Sequence, residues 1–298
     1  MKVLISGGSG LIGTAITRRL LNEGHDVVHL SRRPDNTAIV KQYPWDIDRQ
    51  EMDLRCLENT DAIVNLAGAT LNHRWTPEYK SLILRSRVDA TRLLFKALRD
   101  NDHQVSVVVS ASASGYYPSD FNQYFNEDDA PGNDFMALVC QKWESEAQNF
   151  ETLGIRTVIG RIGIVLSDED GALPAMARPV KFGLGAPLGN GKQFISWIHI
   201  NDLTRLFLFA LENNAMYGPY NFVAPQTLTN RELTKAIAHV LNRPLLLPPV
   251  PAFALKLALG EMAEIVLRSN GLDNTRLKGA GFTPEFEEIN NALTDLLK

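Results

Sequence analysis

Residues 3–13 read Val3-Leu4-Ile5-Ser6-Gly7-Gly8-Ser9-Gly10-Leu11-Ile12-Gly13, and the fold of the chain turns on this stretch. An apolar run ends in glycines, and Leu11 to Asn22 follows with Ile12, Ile16 and Leu20 on one helical stripe. Gly24 stands where a helix C-terminal glycine belongs, and Val27-Val28-His29-Leu30 reads as a second buried strand. Strand, helix and strand within roughly thirty residues make a βαβ unit, the building block of parallel sheets. Gly8, Gly10 and Gly13 hold G-x-G-x-x-G spacing, and Gly7, Gly10 and Gly13 the G-x-x-G-x-x-G form. One glycine makes the tight turn, one lets backbone approach a pyrophosphate, and one lets helix and strand pack closely. The helix N-terminus then offers free N–H groups and its positive dipole end. Gly7, Gly8, Ser9, Gly10, Leu11, Ile12 and Gly13 are therefore expected to cradle a dinucleotide.

The end of the second strand chooses between the nicotinamide cofactors. A binder of NAD usually carries an acid there, about 20 residues past the loop, for the ribose 2′-hydroxyl. This chain has Leu30-Ser31-Arg32-Arg33 instead, and Asp26 sits at the wrong end of the strand. Ser31 can donate to a 2′-phosphate and Arg32 can grip it through a bidentate fork, so NADP(H) is the expected cofactor. The competing reading makes both arginines solvated surface charges.

The alternation continues. Strands are expected over Asp61–Ala67, Val105–Ser110 and Arg156–Ile162, with helices over Tyr79–Arg99 and Phe135–Leu153. Continuous apolar strands between amphipathic helices imply an α/β, Rossmann-type doubly wound parallel sheet, covered on both faces. Glycines and prolines crowd Gly171–Gly191, read as long loops over a cleft. Helical patterns follow over Asn230–Leu241 and Pro251–Leu267, separated by a Pro244–Pro249 linker, and a last helix starts near Glu285. The expected organisation is a nucleotide domain over residues 1–165 and a smaller α/β substrate or cap domain over 166–298. Part of 195–223 is expected to return to the core.

The 298 residues are 45% hydrophobic and 21% charged with net charge −4, which gives no electrostatic footprint for nucleic acid or anionic lipid. Cys56 and Cys140 are too few and too isolated for a disulfide framework or metal cluster. The six histidines show no pair at ligand spacing, so no metal is expected. No signal core follows Met1, and Leu245–Leu267 is broken by Pro248, Pro249, Pro251, Lys256, Glu261 and Glu264. The expected protein is cytoplasmic, a monomer or homodimer, and binds a small-molecule substrate.

With these motifs in place, the chain resembles the short-chain dehydrogenase/reductase superfamily in its extended, epimerase-like form. Arg87-Val88-Asp89-Ala90-Thr91, Trp197-Ile198-His199-Ile200-Asn201-Asp202 and Tyr220-Asn221-Phe222 match signatures of extended members. Ser31-Arg32, Ser86-Arg87 and the stretch from Pro251-Ala252-Phe253 through Gly260-Glu261-Met262 to Gly281-Phe282 are similar to an atypical "epimerase family" subgroup, with bacterial and mitochondrial representatives. The resemblance implies that Leu66, Ala67, Gly68 and Arg87 bind the cofactor, Arg87 standing where extended members usually carry Asn. It also implies a Ser or Thr for the substrate oxygen, and a Tyr acid/base with a Lys one helical turn later.

Ser112, four residues before Tyr116, matches the Ser, or is a plain polar residue at a strand end. The Tyr-x-x-x-Lys pair is absent, since none of the seven tyrosines has Lys four residues later. Counting back from Gly154-Ile155-Arg156 puts Phe135 and Val139 at those positions. Tyr116, with Tyr117 beside it, and Lys142 are the remaining candidates for a relocated acid/base, against readings as loop aromatics and a solvated helix residue. Asp46 could accept from an adenine amino group, and His199 reads as packing between domains. Two functions follow: an NADP(H)-dependent oxidoreductase or epimerase on an unknown small molecule, or an inactive nucleotide-sensing or scaffold protein. Some members of the subgroup have been linked to cell or plastid division, which suits the second.

Overall fold

Side chains of β1 (Lys2–Ser6) alternate between two apolar layers: Val3 and Ile5 enter one buried cluster, and Leu4 the other. Strand β5 (Ala62–Asn65) does the same with Val64 and Ile63, and β6 (Val107–Ala113) with Val109 and Val108. A sheet with apolar residues on both faces must be covered on both. The computed structural model describes all of residues 1–298 and shows how. Helices α1 (Leu11–Asn22) and α5 (Ile200–Glu212) supply Ile16, Leu20, Phe207 and Leu211 to the first layer. Helix α2 (Pro77–Asp100) supplies Leu93, Leu94 and Leu98 to the second.

The remaining sheet strands are β2 (Asp26–Ser31), β3 (Lys41–Asp46), β4 (Glu51–Met52), β8 (Arg156–Ile162) and β12 (Gly218–Phe222). The eight run β12-β8-β6-β5-β1-β2-β3-β4, all neighbours parallel except β3 with β4. The strand order reverses between β1 and β5, which is where such sheets open a crevice at their carboxyl ends.

Beyond β8, α5 and β12 return to the large sheet. Around a third apolar cluster lie α4 (Ala172–Lys181), α6 (Asn230–Val240) and α10 (Ile289–Leu297). Short pairings stitch this region: β9 (Ile164–Leu166) with β11 (Trp197–His199), and β10 (Phe194–Ile195) with β13 (Leu228–Thr229). A third joins β7 (Tyr124–Phe125) to β14 (Gly271–Leu272). No helix is long and apolar enough to cross a membrane.

Several expectations need correction. The glycine- and proline-rich stretch expected to be loop contains α4, which buries Leu173, Ala177 and Val180 at helical spacing. Pro174 falls in its first turn, where the missing N–H costs no intrahelical bond, and Pro179 falls in its last. The continuous helix expected over 251–267 breaks at Gly260, with φ 62° and ψ −140°, into α7 (Ala252–Leu259) and α8 (Ala263–Leu267). Helix α3 (Phe135–Gln148) ends earlier than expected and passes into a 3₁₀ turn over Asn149–Leu153. A short α9 (Thr275–Gly279) completes the chain's helices. Strand β3, which no expectation covers, buries Tyr43 and Trp45 in alternation around an exposed Pro44.

Candidate functional site

The site begins where β1 ends. Gly7 turns with φ 74°, its carbonyl accepts from Gly10 N at 3.1 Å, and Gly10 carries α1 without any side-chain cap. The first-turn N–H groups of α1 are thus free of protein side chains, and no acid sits among them. The loop is packed too closely for side chains. A Cβ at Gly13 would stand 2.7 Å from Gly8 Cα and 2.9 Å from Gly8 C, and one at Gly7 2.9 Å from the Leu66 carbonyl. Under Gly8 lies the His29 ring, 2.5 Å from a Cβ there. Thr17 donates to the Gly13 carbonyl at 2.7 Å and lies 2.8 Å from His29 Nε2, so the ring nitrogen is the donor in that second bond. Burial pushes the His29 pKa down.

At the end of β2, Ser31 is half-buried and its Oγ accepts from Arg33 N at 3.2 Å, while Arg32 is exposed. Asp46 is occupied elsewhere, accepting from Arg49 N in a turn. At the end of β5, Leu66 N donates to Ser6 O, and Ala67 N to Ser6 Oγ. A buried strip of Ser6, Asn65, Ser110 and Thr91 locks β1, β5, β6 and α2 together beneath these residues. Gly68 abuts Arg87, which is half-buried on α2.

Ser112 at the end of β6 is 3% exposed, and its hydroxyl donates to Glu144 Oε1 at 2.5 Å. Arg161 on β8 bonds both Glu144 oxygens at 3.0 Å and donates to the Tyr117 hydroxyl at 2.8 Å. Tyr117 donates to Asn221 Oδ1, and the Asn221 backbone N–H reaches Glu127 Oε1 at 2.7 Å. Burial pushes the Tyr117 phenol up, and it pushes the Glu127 carboxyl up as well. Burial also works against the Arg161 cation, but its bonds to Glu144 hold its pKa above the ordinary value. Tyr116 lies over Arg161, 3.5 Å from ring centroid to Cζ, and its hydroxyl makes no bond to the protein.

The structure separates the three catalytic candidates. Ser112 is tied into the Glu144–Arg161 network, and Tyr116 roofs it. Lys142 is exposed in a groove between α2 and α3 lined by Arg92 and Glu146. It stands two residues from both Cys140 and Glu144, so it points away from Ser112 around the helix. On α3, Glu144 bonds Ser112, Met136 and Cys140 lie beside Gly115, and Met136 packs with Phe135 and Val139 against Trp75 and Ile83. A Cβ on Gly115 would meet Met136 Cβ at 3.3 Å and Cys140 Sγ at 3.8 Å. Burial pushes the Cys140 thiol up to about 12. Sequence reasoning did not single out Glu144, Arg161 or Glu127 as site residues, and reached Asn221 only within the Tyr220-Asn221-Phe222 signature. His199 is buried, caps α5 through Nδ1 and stacks on Phe286.

A glycine turn opening a helix after the first strand of a doubly wound sheet, facing the carboxyl-end crevice, defines a Rossmann-type protein. The chain belongs to the NAD dependent epimerase/dehydratase family, whose model matches residues 3–224; a domain of unknown function, DUF1731, matches 250–296. It is 37% identical over 297 residues to an epimerase family protein of Staphylococcus haemolyticus, covering 99% of this chain and 98% of the relative. It superposes on the crystal structure of the human epimerase family protein SDR39U1 (isoform 2) with NADPH at TM-score 0.90 and 33% identity, over 99% of both chains. A nucleoside-diphosphate sugar epimerase of Corynebacterium glutamicum gives TM-score 0.81 at 29% identity, covering all of this chain and 58% of that one.

Proposed function

We propose that this protein binds NADP(H) across the glycine loop and belongs to the oxidoreductase or epimerase chemistry of its family, acting on a small molecule without a Tyr–Lys pair. The observation that carries the reading is the loop itself. Gly7, Gly8 and Gly13 leave no room for side chains, and the uncapped first turn of α1 offers its N–H groups to an anion. When bound, NADP(H) supplies or accepts a hydride. Gly7 to Gly13 would hold its diphosphate, Ser31 and Arg32 its 2′-phosphate, and Leu66 to Gly68 its adjoining sugar. The human relative's NADPH agrees with the choice of cofactor.

Among residues able to move a proton near Ser112, Tyr116 has the free hydroxyl. A second reading, a nucleotide sensor or scaffold, is favoured by the Ser112–Glu144–Arg161 network, which satisfies the serine hydroxyl internally. Titration tests the binding reading. NADPH should bind at least about tenfold more tightly than NADH, a gap of about 1.4 kcal/mol that Arg32→Ala closes. Equal affinities in the unmodified protein would refute it. NADPH turnover on small carbonyl compounds that Tyr116→Phe abolishes supports the enzyme; binding with no turnover supports the sensor.

A further inference from the structure

Helix α7 is apolar on nearly every side. It reads Ala252-Phe253-Ala254-Leu255-Lys256-Leu257-Ala258-Leu259, and Leu255 alone is buried. A helix that is hydrophobic all round ordinarily lies inside a protein. Here Phe253 and Leu257, one turn apart on the same face, are 74% and 84% exposed. The apolar surface continues beyond the helix. Leu246 and Leu247 in the linker before α7 are exposed, and so are Phe182 and Leu184 just after α4. The two connecting segments lie side by side. A Cβ on Gly185 would stand 2.9 Å from Leu245 Cδ2, Val250 N donates to the Pro187 carbonyl, and Gly189 N donates to the Val250 carbonyl. Single exposed apolar residues need no explanation, but six on neighbouring segments do.

The net charge of −4 hides how the charges are distributed. No Asp or Glu falls between Asp170 and Asp202, nor between Glu232 and Glu261, whereas these stretches carry Arg178, Lys181, Lys192, Lys235, Arg243 and Lys256. Arg243 stands just before the linker and Lys256 stands on α7. Both are exposed, and neither makes a salt bridge. Asp168 shares a groove with Arg178 and Lys181 without pairing with either. Of the acids that bound the second stretch, Glu261 pairs with Lys80 at 2.8 Å and Glu232 caps α6.

Apolar side chains among unpaired cations fit a partner that is anionic at its rim and apolar beneath. A bilayer with anionic headgroups has that chemistry. A second copy docked about a twofold axis would set this acid-free surface against itself and leave the cations of both copies without a partner. Helix α7 is about 12 Å long against a hydrocarbon core of roughly 30 Å, so it would lie in the lipid surface rather than cross it.

We propose that α7, the linker before it and the turn after α4 form a docking surface for an anionic bilayer. Phe253 and Leu257 enter the headgroup boundary, and Arg243 and Lys256 meet lipid phosphates. This role is independent of the NADP(H) reading.

Flotation of the full chain tests it, with vesicles of phosphatidylcholine alone or of phosphatidylcholine with roughly 30% phosphatidylserine. The protein should float with the anionic vesicles, stay behind with the neutral ones, and be released by salt at about 1 M. Phe253→Ser with Leu257→Ser should weaken the association about tenfold or more. Arg243→Gln with Lys256→Gln should weaken it about fivefold per cation, or some twentyfold together. All four side chains are exposed, so both double variants should keep the melting temperature of the unmodified protein. If the serine pair lowers it, the glutamine pair, which leaves the apolar side chains in place, decides. No flotation with anionic vesicles overturns the proposal, as does equal flotation with neutral ones or flotation that both variants retain. A protein that ignores vesicles but sediments as a dimer, and loses the dimer with the serine pair, gives this face to a second copy and overturns it too.

Discussion

Gly13→Ala is the smallest change that sets the phosphate loop against its own helix. The new methyl would press on the Gly7 carbonyl and stand 2.7 Å from Gly8 Cα and 2.9 Å from Gly8 C. All three neighbours are backbone, so no side chain can swing away. Carbon contacts relax near 3.5 Å, so the loop must retreat from α1 by roughly 1 Å. Overpacking of this kind costs about 1–3 kcal/mol of stability. The retreat also misaligns the N–H groups offered to the diphosphate, where each charge-assisted bond contributes about 1.5–3 kcal/mol. Losing one of them weakens NADPH about tenfold to somewhat over a hundredfold. Calorimetric titration gives the affinity, and circular dichroism with thermal melting gives the fold. A folded Gly13→Ala protein that binds NADPH within twofold of the unmodified one refutes the reasoning.

Three further outcomes are expected. The folded-state His29 pKa lies below the free value of 6.5, so the native state resists protonation. Its contribution is therefore complete above that value and is lost as pH falls through and below it. Melting temperature should drop between pH 7.5 and 5.5, at about those values, and His29→Gln should flatten part of the slope, the rest belonging to His199, whose pKa burial also lowers; an identical slope in the variant contradicts this. Glu144→Ala leaves Arg161 buried and unpaired and should cost about 3–5 kcal/mol in denaturant unfolding, against about 1 kcal/mol for Ser112→Ala. Comparable costs would mean that the pair is not what holds the network. Val139→Lys places an ammonium among Trp75, Ile83 and Met136 and should destabilise by about 2 kcal/mol or more. A stable Val139→Lys protein would show that this helix face opens to the crevice after all.

The first βαβ unit was legible because its signals are local. Glycines punctuate it, and the periodicity of Ile12, Ile16 and Leu20 bounds α1 at Leu11–Asn22, as observed. Strand β8 was read over its full span, Arg156–Ile162, for the same reason, since Gly154 and a continuous apolar run mark it. Where proline interrupts a pattern the reading failed, as at Pro174 and Pro179 in α4. The polar network was illegible for a different reason. Ser112 and Glu144 are 32 residues apart, and Tyr117 and Asn221 are 104, so nothing local announces their pairing. Arg87 was reached only through resemblance.

A crystal structure of the full chain grown with saturating NADPH tests the central claim most directly. The account predicts the diphosphate against the first-turn N–H groups of α1, over Gly7 to Gly13. It predicts the 2′-phosphate within hydrogen-bonding distance of both Ser31 and Arg32. NADPH bound elsewhere, or bound over the loop with its 2′-phosphate free in solvent and Arg32 turned away, would contradict it.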